Sequence, residues 1–227
     1  MTERQPRRKD VEPLRLPFLL TTNPSVNALG ERIKEATPDW EMIVMDSRRF
    51  NRIADSGYLA EIHVGHVIEK AANIDPALKD RIIRDPVVDG DETANYLFKQ
   101  NQQGMLVCWK KRGPYGKPEQ VAEYDHLLMI NFLPVVIEVK TSNAPHSTAS
   151  KKGSLAQALT QESIIKKLRP LQERLSTDRF AYVMVVNQEL INPNSHFQQQ
   201  FTRSGGLIVP LATPHAEFTE AAAEKLQ

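Results

Sequence analysis

Two strongly apolar segments on either side of a long helical pattern constrain the fold of this chain more than any other feature. The segments Pro134–Lys140 and Arg179–Val186 are rich in β-branched residues, as buried strands are. Residues 154–175 between them repeat leucine and isoleucine at helical spacing. Because a strand–helix–strand connection within one sheet is a crossover, the two strands should be parallel. The pattern therefore predicts an α/β fold with a mixed central sheet and helices on both faces.

Periodicity and turn residues place the other elements around this sheet. The best helix of the first half covers Ser56–Asn73, where Ala60, Val64 and Ile68 share one face. We expect Pro170 to kink or split the helix at 154–175. The remaining predicted elements are helices at 26–36, 76–84 and 214–226 and strands at 41–46, 104–110, 121–130 and 206–211.

The chain divides into three parts. Residues 1–17 contain Arg7, Arg8 and Lys9, then two prolines, and show no periodicity. We expect them to form a flexible basic tail, with a weak phosphate-binding arm as the alternative. Residues 18–56 should form an N-terminal extension packed on the core, and residues 57–227 the main domain.

Composition excludes several classes of protein. With 41% hydrophobic and 25% charged residues, the chain is neither disordered nor a coiled-coil rod. No segment approaches the roughly 18 uninterrupted apolar residues of a membrane span, and the charged N-terminus lacks the apolar core of a signal peptide. The single cysteine, Cys108, predicts a reducing, cytoplasmic setting. The net charge of +1 neither favours nor excludes nucleic acid as a partner.

Three charged residues interrupt the apolar strands and suggest a reactive site. On the strand at 134–140, Glu138 and Lys140 point to the same side. If Asn131–Leu133 forms a short turn, Asp125 lies nearly opposite Glu138, with Cβ atoms about 5 Å apart. Two carboxylates this close repel each other, and a divalent cation neutralises them better than Lys140 alone. Mg²⁺ fits such a site, because it binds one or two carboxylates and completes its shell with water and phosphate oxygens.

The order of these residues and elements resembles a known family. Asp125, followed on the next strand by Glu138-Val139-Lys140 and then by a helix and another strand, resembles the PD-(D/E)XK, or restriction-endonuclease-like, nuclease superfamily. The resemblance covers about residues 57–211, and it makes the main domain at 57–227 a nuclease-like domain with a restriction-endonuclease-like core. It implies a Mg²⁺-dependent endonuclease that hydrolyses DNA phosphodiester bonds, with Mn²⁺ able to replace Mg²⁺.

The resemblance also implies roles for single residues. Asp125 and Glu138 would bind the metal ion, and Lys140 would assist attack on the phosphate. Family members often carry a further acid on the helix before the strands, and Glu61 fits that position. Glu69 is turned about 80° further toward solvent, so Glu61 is the predicted catalytic residue and metal ligand. The predicted partner is DNA, and a homodimer or a separate motor or specificity subunit is compatible with this function.

Local charge after the predicted site favours a nucleic-acid partner. Residues 138–179 contain eight Lys and Arg against four Asp and Glu. Lys151 and Lys152 lie in the loop just beyond the site, where a phosphate backbone would pass. Some relatives carry a Gln on the helix after the E-x-K strand, so Gln157 and Gln161 are predicted, with the two lysines, to contact nucleic acid.

Simpler explanations stay open for several of these residues. Asp125 and Lys140 can form a structural ion pair at a strand end, with Glu138 solvated. A solvated helix face is the simplest explanation for four residues, namely His63, His66, Lys166 and Lys167. His63 and His66 have a spacing that metal ligands use, but no third ligand stands near them in sequence.

Three other functions are also compatible with the sequence. The first is a nuclease fold without turnover that binds DNA or protein. The second is an RNA- or structure-specific nuclease, which only a substrate screen distinguishes from the DNA endonuclease. The third is an α/β interaction protein whose acidic cluster is structural, and which a metal ion would not stabilise.

Overall fold

A mixed β-sheet forms the centre of the fold in the computed structural model, which describes residues 11–49, 56–101, 105–113, 116–141 and 155–224. The helices of these ranges are α1 (Pro24–Glu35), α2 (Trp40–Arg49), α3 (Ser56–Ile74), α4 (Leu155–Ala158), α5 (Gln161–Leu175), α6 (His196–Arg203) and α7 (His215–Glu224). The strands are β1 (Leu19–Leu20), β2 (Ile82–Arg84), β3 (Tyr96–Gln100), β4 (Leu106–Lys110), β5 (Glu119–Tyr124), β6 (His126–Ile130), β7 (Leu133–Lys140), β8 (Arg179–Asn187) and β9 (Leu207–Leu211).

The central sheet confirms the predicted parallel crossover. Its strand order is β1-β8-β7-β6-β2, and β9 pairs with β8 as well. Strands β7 and β8 are parallel, and α4 and α5 lie between them in the chain. Strand β6 is antiparallel to both β7 and β2. Both β1 and β9 run parallel to β8, β1 beside its first residues and β9 beside its later ones.

A second sheet of three antiparallel strands, in the order β3-β4-β5, corrects the prediction for residues 121–130. The sequence predicted one strand there. Instead β5 ends at Tyr124, the chain bends at Asp125, and β6 begins at His126 in the central sheet. The local apolar pattern does not mark the bend, because buried apolar residues stand on both sides of it, such as Tyr124 of β5 and Leu127 of β6. Distant partner strands, which the local pattern does not report, decide which sheet each strand joins.

Apolar side chains form a core on each face of the central sheet. On one face, α1, α3 and α7 pack with alternate residues of β7 such as Ile137 and Val139. On the other face, Val136 of β7 packs with residues of α4, α5, α6 and the three-stranded sheet. Helices therefore cover both faces, as predicted, and Glu138 and Lys140 point to the same side as Val136. Within the described ranges, none of the helices has the length and apolar character needed to span a bilayer.

Two predicted elements of the first half are wrong. Residues 41–46 belong to helix α2, not to a strand, because Asp39 caps this helix: its Oδ1 accepts a hydrogen bond from Met42 N at 3.2 Å. Residues 76–84 form turns and then β2 instead of a helix. Asp80 adopts a left-handed conformation with φ of 63°, which a helix does not allow.

The predicted helix at 154–175 is divided, but not at its proline. Helix α4 ends at Ala158 and α5 begins at Gln161, and residue 154 lies outside the described ranges. Thr160 caps α5 by accepting a hydrogen bond from Ser163 N at 3.3 Å. Pro170 lies inside α5, which continues to Leu175.

A two-residue turn fixes the register of β6 and β7. Asn131 and Phe132 have φ angles of 50° and 63°, the pattern of a type I′ turn. This turn places His126 opposite Ile137. Extending the register by one residue places Asp125 opposite Glu138, so the turn sets the geometry of the predicted site.

The N-terminal part of the chain packs on the fold. Residues 1–10, with the predicted basic cluster, lie outside the described residues. From residues 11–17 of the predicted tail, Leu14 and Leu16 pack on the second core, and Leu14 N donates to Ser204 Oγ at 2.7 Å. Of the predicted extension at 18–56, residues 18–49 and 56 are described, and Phe18 and Ile33 among them are buried in the core.

Candidate active site

Asp125 lies at the junction between the two sheets. It occupies the bend between β5 and β6 and is half-buried. Its Oδ2 accepts a hydrogen bond from Val139 N at 2.8 Å, so its carboxylate lies beside the E-x-K segment of β7. The register of β6 and β7 thus brings together two residues that are 13 positions apart in sequence, Asp125 and Glu138.

Glu138 is a buried acid with a cationic partner. Its residue surface is only 2% exposed, and its Oε1 forms an ion pair with Lys167 Nζ of α5. Burial raises the pKa of Glu138, and the negative charge of Asp125 raises it further. Lys167 and Lys140 lower this pKa and offset part of the rise. Two carboxylates and two ammonium groups therefore act on each other at this point.

Lys140 lies at the end of β7 among acidic groups. Burial lowers its pKa, but the surrounding carboxylates more than compensate, so its pKa lies above the usual value. These carboxylates are, in order of influence, Asp125, Glu138, Glu61 and Glu123. Lys140 is thus held in its charged form by carboxylates that include the predicted metal ligands Asp125, Glu138 and Glu61.

Glu61 faces the same region from helix α3. With Asp125 it lines an open cleft of about 560 Å³, and its backbone oxygen contacts Nε2 of His126 at 3.0 Å. Glu69 lines the cleft too, but it is exposed and pairs with Arg84 at 3.7 Å. Of the two acids, Glu61 is the one whose charge acts on Lys140. The role of Glu61 as catalytic residue and metal ligand stays a prediction.

Lys167 is a site residue that the sequence reasoning missed. The prediction of a solvated helix face is wrong for Lys167, whose side chain is 21% exposed and pairs with Glu138. It holds for Lys166, which is exposed. The helical period contained a signal, since Lys167 lies within about 60° of the buried stripe that includes Ile164.

Two buried tyrosines complete the surroundings of Glu138. Tyr124, the last residue of β5, donates from its hydroxyl to the backbone oxygen of Lys167 at 2.8 Å. Tyr182 of β8 lies on the same side of the sheet as Glu138. Burial and then the charge of Glu138 raise the pKa of the Tyr182 hydroxyl well above its usual value. Both phenols are therefore neutral, and Tyr124 anchors the helix that carries Lys167.

The described structure does not bring together at this site the residues that are predicted to contact nucleic acid. Lys151 and Lys152 lie outside the described residues. Gln157 is exposed on α4, and Gln161 is exposed at the start of α5, where its Oε1 accepts from Arg15 N at 3.1 Å. The roles of these four residues stay predictions.

The two histidines of α3 are not solvated as predicted. His63 is buried against α7, with its ring 6.3 Å from that of Phe218, and burial lowers its pKa to about 4. His66 Nε2 contacts Asp46 Oδ2 at 2.8 Å. His63 therefore contributes to the packing of α3 on α7, and His66 pairs with Asp46 of α2.

The donor set at Asp125 and Glu138 fits a hard cation. Both are carboxylates, they repel each other, and Mg²⁺ commonly uses only one or two such ligands. In the part of the chain that the structure describes, no group of three or more His, Cys, Asp or Glu side chains is arranged to hold a metal ion. Asp125 and Glu138 supply the carboxylate oxygens that Mg²⁺ prefers, but the described structure does not group Glu61 or another such side chain with them as a third ligand.

Comparisons with known proteins add little to this geometry. No protein-family model matches the sequence, and no curated protein matches it either. Among solved structures, protein VC1899 from Vibrio cholerae is similar, with a TM-score of 0.36 and 13% sequence identity. The similarity covers 79% of this chain and 34% of that chain, so this chain spans about a third of the length of that protein.

Proposed function

We propose that this protein is a Mg²⁺-dependent endonuclease that hydrolyses DNA phosphodiester bonds and has a restriction-endonuclease-like core. The observation that carries the proposal is the meeting of Asp125, Glu138 and Lys140 at the junction of two sheets, with Glu61 facing them. The antiparallel pair β6–β7, followed by a helical crossover to the parallel strand β8, supports the resemblance in element order.

Each residue has a part in the proposed reaction. Asp125 and Glu138 hold the cation, which when bound polarises the scissile phosphate and the attacking water. Lys140, charged and next to both acids, orients that water or stabilises the charge that develops on the phosphate. Glu61 would help to hold the cation, directly or through water. The resemblance implies a product with a 5′-phosphate.

Lys167 gives Glu138 a countercharge in the absence of a cation. An isolated carboxylate as buried as Glu138 would be strongly disfavoured, and its pKa is indeed raised. The ion pair with Lys167 leaves the second oxygen of Glu138 for the cation. The ion pair therefore lets Asp125 and Glu138 stay close together before a metal ion binds. This supports the proposal that both carboxylates can bind the ion.

The same contacts also favour one alternative, a nuclease fold without turnover that binds DNA or protein. Lys167 and Val139 N already satisfy Glu138 and Asp125 by hydrogen bonds and charge. Such a protein would bind DNA and never cut it. An RNA- or structure-specific nuclease would cut, but only when given its own substrate.

A substrate screen tests the proposal. The protein is incubated with supercoiled, linear and single-stranded DNA, branched DNA and RNA, each with Mg²⁺, Mn²⁺ or EDTA. We expect metal-dependent cleavage of DNA that Lys140→Ala abolishes, which also excludes a contaminating nuclease. Cleavage of RNA or branched DNA alone would assign the structure-specific alternative, and absence of cleavage in every arm would contradict the enzyme.

A further inference from the structure

The three-stranded sheet has one face that points away from the second core. Its inner face packs on the second core through residues such as Phe98, Cys108 and Tyr124. The opposite side, which we term the outer sheet face, forms an open cleft of about 830 Å³. The residues of this face used below are Leu97, Lys99, Trp109, Lys117, Gln120 and Glu123.

An aromatic ring lies at the centre of the outer sheet face. Trp109 of β4 is opposite Leu97 of β3 and Gln120 of β5, and its side chain is half-buried. A tryptophan that is supported by neighbouring strands and partly open to solvent offers a rigid surface for stacking. Nucleic-acid bases stack on such rings without regard to sequence.

Two lysines border the ring and are without acidic partners in the described structure. Lys99 and Lys117 are exposed, and neither forms an ion pair with any described residue. Lys111 and Arg112, which follow β4, are paired with Glu92 and Glu119, whereas Lys110 at the end of β4 is also without an ion pair among the described residues. The outer sheet face thus combines a stacking ring with two ammonium groups that no described acid neutralises, and these groups complement a base and its adjoining phosphates.

Strand β5 connects the outer sheet face directly with the candidate active site. Gln120, opposite Trp109, is five residues before Asp125, or about 17 Å at the rise of an antiparallel strand. Glu123 of the same strand is among the carboxylates that raise the pKa of Lys140 after burial has lowered it. A strand of nucleic acid that leaves the site along β5 would therefore reach Trp109 after about five nucleotides at the spacing of stacked bases.

We propose that the outer sheet face binds an unpaired strand of the substrate, with a base stacked on Trp109 and phosphates bound by Lys99 and Lys117. This inference rests on the proposed function and narrows it: the substrate has a single-stranded segment beside the scissile bond. A base within a duplex is already stacked on its neighbours and has no free face for the ring. The protein should therefore prefer single-stranded or locally unpaired DNA to blunt duplex.

Binding is measured in EDTA, so that no cleavage interferes, with a labelled oligothymidylate of about 12 nucleotides. We expect Trp109→Ala to weaken binding about 5- to 150-fold and Trp109→Phe, which keeps an aromatic ring, to weaken it much less. In the double variant Lys99→Ala/Lys117→Ala, the slope of the logarithm of the association constant against the logarithm of the salt concentration should become smaller in magnitude by about 1.4. Each phosphate contact on a single strand contributes about 0.7 to this slope. The exposed Lys79→Ala is the matched control and should change neither quantity.

Fluorescence of the full chain gives an independent measurement. Trp40, the other tryptophan, packs edge-to-face on Phe218 in the opposite core, with ring centroids 5.3 Å apart. In the Trp40→Phe variant the emission comes from Trp109 alone. We expect oligothymidylate to quench it and a blunt duplex of equal length to quench it much less.

The outcomes separate this inference from the proposed nuclease. Quenching and Trp109-dependent binding without cleavage in any metal would support the outer sheet face and contradict the enzyme. Metal-dependent cleavage with oligonucleotide binding that Trp109→Ala leaves unchanged would support the enzyme and overturn this inference.

Discussion

At the scale of single residues, the candidate site depends on how two repelling carboxylates are kept together. Glu138 is held by a cation of α5, and Asp125 by a backbone N–H of β7. Their contacts differ in kind, because one is a charge interaction and the other a hydrogen bond. Substitutions that remove charge and hydrogen bonding separately can therefore assign a role to each acid.

Lys140→Ala should lower DNA cleavage by at least about 100-fold, because a charge aimed at the developing negative charge of the transition state has no substitute. DNA affinity should stay nearly unchanged, since one phosphate-directed charge is a small part of the electrostatic term. Cleavage rates and filter binding in EDTA measure the two effects. Lys166→Ala, an exposed lysine of α5, is the control. Cleavage by Lys140→Ala at the wild-type rate would remove Lys140 from the mechanism.

Asp125→Ala and Asp125→Asn should differ in stability without metal. The alanine leaves Val139 N, on a residue that is 4% exposed, without its acceptor, which costs about 1 to 3 kcal/mol. The asparagine retains an oxygen and removes one of two repelling charges, so it should be as stable as wild type or more so. Urea unfolding measures the difference, and both variants should lose metal binding. Equal destabilisation of the two variants would indicate a structural ion pair with Lys140 and favour the interaction protein.

At the scale of elements, the sequence predicted best where periodicity and burial coincide. Helix α3 and strands β7, β8 and β9 were placed within a few residues. Helix α2 was missed because its short apolar run also fits a strand, although Asp39 provided a capping signal. The bend at Asp125 could not be read from residues 121–130, since β4 and β7, remote from each other in sequence, decide the two pairings.

The site was predictable to the same degree. The spacing of Asp125, Glu138 and Lys140 reflects one local hairpin, and a two-residue turn fixed its register. Lys167 lies on α5, 29 residues after Glu138 in sequence. Its contact with Glu138 therefore depends on how α5 crosses the sheet. Long-range packing of this kind leaves only a weak trace in sequence, here a lysine at the border of a buried stripe.

The packing of α3 on α7 predicts a pH-dependent stability. Burial lowers the pKa of His63 to about 4, while a hydrogen bond with the backbone of Ala36 offsets part of the effect. Between the usual pKa of 6.5 and about 4 the unfolded chain binds the proton and the folded one does not, so stability falls as the pH falls through this window. Across this pH window, His63 lowers the free energy of unfolding by up to about 3 kcal/mol.

His63→Asn should remove this contribution while it retains an N–H for the carbonyl of Ala36. Urea unfolding between pH 7 and pH 4 should show wild type losing more stability than the variant as the pH falls. His196→Asn, at an exposed position of α6, controls for the loss of a histidine as such. Parallel profiles for wild type and His63→Asn would mean that the buried ring does not titrate differently on unfolding.

At the scale of the whole molecule, the two cores share one sheet. Alternate residues of β7 enter one core or the other, and the strand carries Glu138 and Lys140 as well. Loss of either core would expose a face of β7 and destroy the site. We therefore expect the chain to unfold in one cooperative transition, so that a single melting temperature reports on binding at Asp125 and Glu138.

Mg²⁺ should raise that melting temperature through mass action, because the unfolded chain does not hold the two carboxylates together. At 100 times the dissociation constant the gain is about 2.7 kcal/mol, or about 5 to 10 °C for a chain of this size. Glu138→Gln keeps an oxygen for Lys167 Nζ but lacks the charge that binds the cation, so its shift should be much smaller. Glu162→Gln removes an exposed acid of α5 and is the control. Mg²⁺ should raise its melting temperature as much as that of wild type. The proposed cation site depends on the buried acid Glu138. If Mg²⁺ raised the melting temperature of wild type and of Glu138→Gln equally, the cation would bind elsewhere and the carboxylate pair would be a structural cluster.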